Sequence, residues 1–394
     1  MNIFSKNQKL AASVMHSVTA KTFVKKPLIL ALAAITLSAT AVPAFATDWW
    51  SAKPDVVIGK TATVDVRTKG ALGDGVHDDT AAIQAAIDSL PSDGGTVTVP
   101  AGRYMINALK PIRLRSHTRL LMDSMATLAA IPTSASRYWV IKVWNVTDVR
   151  IVGGNVVGER AQHKGSTGEW GYGINISGSK NVVVKAVNVS DFWGDGVLVG
   201  ATGSGRYLQP SDNVTIDRVV SSNNRRQGLT IGPSQHVYIF NSTFQGSRGT
   251  LPEAGIDIEP QDQGPVSTVR LENNTFADNH GNGIELHANI SDITITGNTL
   301  TGNHGFGMLA ISAPYLTITN NNGNKNGLAA VGVSGTTHNV SITGNTLQWN
   351  STRYMSPTKS GGALDRDLQI GTSTSAISVS GNVFSNPKYN TYTR

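Results

Sequence analysis

The stretch DITITGNTL (292–300) carries isoleucine at alternate positions, then a Gly-Asn turn, then a second short apolar step. It returns nearly unchanged as NVSITGNTL (339–347), and more loosely as NVVVKAVNV, NVTIDRVV, HVYIFNSTF, TVRLENNTF, YLTITNNN and AISVSGNVF. Anchored on Val182, Val214, Val237, Val269, Ile293, Leu316, Val340 and Ile377, the copies lie 32, 23, 32, 24, 23, 24 and 37 residues apart. The base period is 23 to 24, and the longer gaps are that period plus an insertion. Each period holds a second short strand: YGINIS, DGVLVG, QGLTIG, AGIDIE, NGIELH, FGMLAI or AAVGVS, nearly all led by Gly. All alternate with period two, and none shows a helical 3.6 pattern. A fixed period of this length, built from strands, predicts a solenoid of stacked β-coils with parallel strands. Propeller blades need about 40 residues or more. A sandwich has no reason for a constant period, and the Leu pattern of a horseshoe is absent. The expected fold is all-β: a right-handed parallel β-helix solenoid with an N-terminal capping helix.

That helix is expected at 78–90, DDTAAIQAAIDSL, with Asp78 or Asp79 as cap and Ile83, Ala86, Ile87 and Leu90 as its apolar stripe. It would close the N-terminal mouth of the coil stack, within a cap region spanning 61–110. Upstream, 1–46 holds five lysines and no acid, then the apolar run LILALAAITLSATAV (28–42) and Ala44-Phe45-Ala46. This pattern predicts a secretory signal, leaving 47–394 as a single exported domain, periplasmic or extracellular. The chain has 33 basic and 26 acidic residues. With the five signal lysines removed, the remainder is close to neutral. Charge therefore gives no reason to expect nucleic acid as a partner, and no second apolar run of membrane-spanning length follows. Cysteine is absent, which excludes disulfides and thiolate metal sites.

The stretch VDVRTKGALGDGVHDDTAAIQAAIDSLPSDGGTVTVPAGRYMI (64–106) resembles the opening of the pectate lyase-like superfamily. That opening reads GA-x-GDG-x-x-DDT-x-AIQ-A-I, then a Gly-rich turn, then V-P-x-G-x-Y. With the repeats, the resemblance covers about residues 60 to 385 and implies a right-handed β-helix acting on polysaccharide. The superfamily holds polygalacturonase-like hydrolases, pectate and alginate lyases, mannuronan C5-epimerases and phage tailspike depolymerases. The opening motif identifies the scaffold rather than the reaction. Gly73, Asp74, Gly75, Asp78 and Asp79 read most simply as a turn and a helix cap. The polygalacturonase-type hydrolases carry Asn-Thr-Asp, Asp-Asp and Gly-His-Gly in successive coils, and this chain lacks all three in that arrangement. Asp257 matches the Asp of the epimerases' Asp-Pro-His, but Glu259 stands where they have His.

Aligned by their glycine, the Gly-led strands place Asn175, Leu198, Thr230, Asp257, Glu285 and Leu309 at the first outward position. Ser177, Gly200, Gly232, Glu259, His287 and Ile311 occupy the second. Asp257, Glu259, Glu285 and His287 then form a square, about 6.6 Å along the strand and about 4.8 Å between coils. Clustered carboxylates repel, so at least one should stay protonated near neutrality, which supplies an acid and a base together. Glycoside hydrolysis needs two such groups, about 5–5.5 Å apart for retention and about 6.5–9.5 Å for inversion. These four are the candidate catalytic residues. A bound Ca²⁺ is the alternative use of the acids, with no cofactor otherwise expected. Arg225, Arg226, Tyr172, Trp193 and Thr230 are candidate substrate-binding groups, by ion pairing, ring stacking or position in the outward row. Trp170 belongs with the same aromatics. Loops at 159–170, 201–211 and 246–253 would wall the groove. His280 and His304, in two matching Asn-His-Gly turns, are expected to be structural.

Three function classes remain. The leading one is an exported enzyme that cleaves a polysaccharide by carboxyl-driven hydrolysis. A lyase or C5-epimerase would act on a uronic-acid polymer and would need Arg225, Arg226, His287 or Ca²⁺ to neutralise the sugar carboxylate. A non-catalytic polysaccharide binder or surface structural protein is the third.

Overall fold

The computed structural model describes residues 62–260, 263–352 and 366–385. The expected signal at 1–46 lies outside them. No helix among the described residues is long and apolar enough to cross a membrane.

The chain winds as predicted. The strand pairings fall into three parallel ladders, to which a regular coil adds one strand each; 209–217, 220–222 and 229–231 form one such coil. Among the described residues, two ladders are joined into a 22-stranded sheet, in part through an antiparallel pairing of Ala201 with Pro210 and Thr202 with Gln209. That pairing is how the 201–211 insertion folds. The third ladder has 12 strands among the described residues. The anchor residues of the repeat stand in register on one ladder, Val182 beside Val214, Val237, Val269, Ile293, Leu316 and Val340. All seven are buried, so they form one continuous apolar column through the solenoid.

Two polar features hold the coils together. The Asn of the repeated turn is buried and stacks on itself: Asn274, Asn298, Asn321 and Asn345 each donate a side-chain N–H to the next Asn, ending at Asn382, at 2.8–3.0 Å. A second ladder runs Asn279, Asn303, Asn326, Asn350 and ends on Asp367. The repeated glycines have a matching cause. A Cβ on Gly173, Gly228, Gly255 or Gly283 would lie 2.4–2.6 Å from a carbonyl oxygen of the next coil. No side chain fits there.

Helix α1 (Thr80–Asp88) is shorter than the 78–90 expected, and it buries Ile83, Ala86 and Ile87 in the core. Leu90 is buried beyond its end. The motif residues build turns: Asp78 accepts from Thr80 N at 3.0 Å, and Asp79 accepts from Leu72 N and Gly73 N at 2.6 and 3.2 Å. The Asp79 side chain therefore ties down the loop before the helix, while its backbone carbonyl accepts from Ile83 N at 3.0 Å. His280 stacks on His304 with ring centres 4.7 Å apart and pairs with Glu253, tying the 246–253 insertion to the neighbouring turns.

Candidate active site

The site lies on six successive strands of one ladder: β1 (Arg137–Trp144), β2 (Trp170–Ser177), β3 (Val197–Thr202), β4 (Leu229–Ile231), β5 (Ile256–Ile258) and β6 (Ile284–Leu286). Register puts Lys142, Asn175, Leu198, Thr230, Asp257 and Glu285 in one outward row. Trp144, Ser177 and Gly200 begin the second row in register. Gly232, Glu259 and His287 continue it at the same offset after β4, β5 and β6.

Two acid–cation–acid bridges meet here. His287 Nε2 lies 3.2 Å from Asp257 Oδ1 and 3.3 Å from Glu285 Oε1. Arg226 spans Asp195 at 3.2 Å and Glu259 at 3.3 Å, with Glu169 at 3.7 Å. Gln227 links the bridges: its amide N–H donates to Asp257 and its oxygen accepts from Arg226 at 2.9 Å. Thr230 donates its hydroxyl to Asp195 at 2.7 Å, and Asn282 donates to Glu285 at 2.9 Å.

Asp257 is 1% exposed and Asp195 fully buried. Burial pushes each carboxyl up to about 6, because a low-dielectric site penalises the charged form. For Asp195 the Arg226 charge offsets part of that rise. For Asp257, His287 offsets part, while Glu259 and Glu285 add to it. Hydrogen bonds to Asp257 and Glu285 raise His287 to about 10, so it is an imidazolium at neutral pH. Burial works against the Arg226 charge, but the surrounding carboxylates outweigh it. The cluster thus combines protonatable buried acids with fixed cations, which is what proton transfer near neutrality requires.

Of the residues singled out from sequence, Asp257, Glu259, Glu285, His287, Arg226 and Thr230 come together. Tyr172, Glu259, Arg226 and Thr230 also line a groove of about 340 Å³ that runs toward β1. Arg225 and Trp193 stand apart from the acids. The Arg225 guanidinium lies 3.9 Å over the Trp193 ring and donates to Gly168 O and Trp193 O. Trp193 stacks in turn on His163, which pairs with the buried Glu159 at 2.8 Å. These four clamp the 159–170 insertion. Sequence reading missed Asp195 and Gln227. Both occupy the position just before the strand-leading glycine, outside the two outward rows. It also missed Trp139, Lys142 and Trp144, which precede the first clear repeat. Asp257, Glu259 and His287 offer ligand atoms within 4.8 Å of one another. His287 is the poor fit to Ca²⁺, which takes oxygen donors, and its ring nitrogen is already shared by two carboxylates.

The profile of the family described as "Rhamnogalacturonase A/epimerase, pectate lyase-like" matches residues 63–309, and that of the "Right handed beta helix region" matches 234–392. The uncharacterized protein YclG of Bacillus subtilis is 31% identical over 58% of this chain and 45% of its own length. Mannuronan C5-epimerase AlgE3 of Azotobacter vinelandii is 28% identical over 64% of this chain and 12% of its own. The match thus spans less than half of either relative. The crystal structure of PfbA, a surface adhesin of Streptococcus pneumoniae, shares the fold with a TM-score of 0.64 and 20% identity, over 82% of this chain and 90% of that one.

Proposed function

Because this chain belongs to the rhamnogalacturonase A/epimerase, pectate lyase-like family, we propose that it is an exported enzyme acting on a polysaccharide laid in the groove over β1 to β6. The observation that carries this reading is the cluster itself. Groove-facing Glu259 sits beside buried Asp257 and imidazolium His287, with polar atoms of all three within 4.8 Å. In the row that holds Asp257 and Glu285, Thr230 and then Leu198 lie on one side and Leu309 on the other. So concentrated a set of acids is costly to keep unless it is used.

Hydrolysis suits the carboxyl excess. The glycosidic oxygen takes its proton from the Asp257–His287–Glu285 assembly, whose most exposed member is His287. Glu259, ion-paired with Arg226 at 3.3 Å, attacks or stabilises the sugar cation. Similarity to AlgE3 and the two cations at the cluster favour a second reading, proton removal beside a uronate carboxylate, leading to elimination or C5-epimerisation.

The test uses the purified chain with neutral and uronic-acid polysaccharides, reading three signals together. Reducing ends alone support hydrolysis. Reducing ends with unsaturated-uronate absorbance mean elimination. Solvent deuterium appearing at C5 without cleavage means epimerisation. Binding with none of the three overturns the enzyme reading in favour of a non-catalytic binder.

A further inference from the structure

The outward row that carries Asp257 and Glu285 begins with cations. Lys142 stands in register with Arg113 on one side and Asn175 on the other. Its ammonium lies 3.7 Å from the Trp139 ring centre and 3.8 Å from that of Trp144, in the corner made by two indoles set at 77°. Trp144 is pinned by its own N–H, which donates to Asn175. Arg137 lies over Trp170 on the same wall, 4.8 Å away. No carboxylate pairs with Lys142 or Arg137 among the described residues. A cation seated on aromatic faces keeps most of its field for an incoming anion while the indoles offer flat apolar surface.

Between this corner and the acids lie Gly200 and Gly232, and both line the groove. They differ from the strand-leading glycines. A Cβ at Gly232 would meet nothing closer than 3.8 Å, and one at Gly200 only the end of Leu198 at 3.3 Å. The backbone does not require glycine at either position. Their missing side chains leave an open trough from Trp144 to Glu259. Four coil steps separate Lys142 from Asp257 along the row, about 19 Å at the ordinary strand spacing.

We propose that the Trp139–Lys142–Trp144 corner is a distal subsite that stacks one sugar ring and pairs with its anionic substituent, while the chain passes over Gly200 and Gly232 to the acid cluster. The inference rests on the polysaccharide reading above only in taking the ligand to be a sugar chain. Distance gives it a signature. Only an oligomer long enough to span the trough can occupy both ends, so the corner strengthens long ligands and leaves short ones untouched.

The test is equilibrium binding to graded oligogalacturonates and oligomannuronates, from disaccharides to long oligomers, read by tryptophan fluorescence. The same oligomers with their carboxyls reduced to alcohols serve as neutral partners. Long acidic oligomers should bind at least about tenfold tighter than their reduced forms, the ordinary worth of one charge-assisted contact. The advantage should shrink with salt. Lys142→Gln should abolish it and Lys142→Arg should keep it. Gly232→Leu should block long oligomers of both kinds, with an unchanged circular dichroism spectrum. Equal binding of acidic and reduced long oligomers overturns the proposal, as does a Lys142→Gln effect that is the same for disaccharides. Binding without turnover would defeat the enzyme reading and leave the subsite standing. Turnover of neutral polymers alone would do the reverse.

Discussion

His287 Nε2 sits 3.2 Å from Asp257 Oδ1, so the imidazole on one coil is oriented by a buried carboxylate on the neighbouring coil. The two depend on each other. Asp257 holds the His287 proton, and His287 limits the rise in the Asp257 pKa that burial causes. Asp257→Asn should therefore lower the His287 pKa from about 10 toward its ordinary range, visible in ring-proton NMR titration. Turnover should fall by about 10²–10⁴, the usual weight of a positioned acid–base group. Unchanged turnover with a shifted His287 would remove Asp257 from the chemistry.

Arg226 is the buried cation between Asp195 and Glu259. Arg226→Met leaves Asp195 buried without its counter-charge and should cost about 3–5 kcal/mol in urea unfolding. The double variant Asp195→Asn with Arg226→Met should recover a large part of that loss. A single-variant cost no larger than that of an exposed ion pair would show that water reaches Asp195.

The pH profile has a defined sign. Asp195 and Asp257 have folded pKa values near 6, above their unfolded ones, so their contribution to stability is complete at low pH and is lost as pH rises through about 6. His287 acts in the same direction, its contribution lost as pH rises through about 10. The melting-temperature difference between wild type and His287→Gln should thus be largest below the ordinary histidine pKa and vanish above about 10. Activity should show an acid limb near 6 and an alkaline limb near 10.

Chelation separates the two uses of the acids. If protons are the working agents, EDTA should leave turnover within about twofold, a negligible barrier change. Loss on EDTA with rescue by added Ca²⁺ would instead make Asp257 and Glu259 metal ligands.

The Asn ladder should be worth more than its surface chemistry suggests. Asn321 donates to Ile295 O and Asn345 Oδ1, and accepts from Asn298 at both its backbone and side-chain N–H. Asn321→Ala orphans buried partners on both sides and should cost about 1–3 kcal/mol or more in equilibrium unfolding.

The coil architecture was legible in the chain because a parallel solenoid repeats its own path. The same inward position returns every 23 to 24 residues, or later where an insertion intervenes, and Val182 through Val340 had to be apolar. The same logic put Asp257, Glu259, Glu285 and His287 on one face, since strand alternation and coil stacking are both set by backbone geometry. What tertiary structure decided lies in the turns and insertions, where no period applies. Asp195 and Gln227 became part of the site because the side chains just before the leading glycine reach the outward row of the next coil, Asp195 meeting Thr230 and Gln227 meeting Asp257. Arg226 and Arg225 are adjacent in sequence, yet one bridges the acids while the other stacks on Trp193. Two consecutive side chains on a turn point in different directions, and only the packing around them determines which one meets the groove.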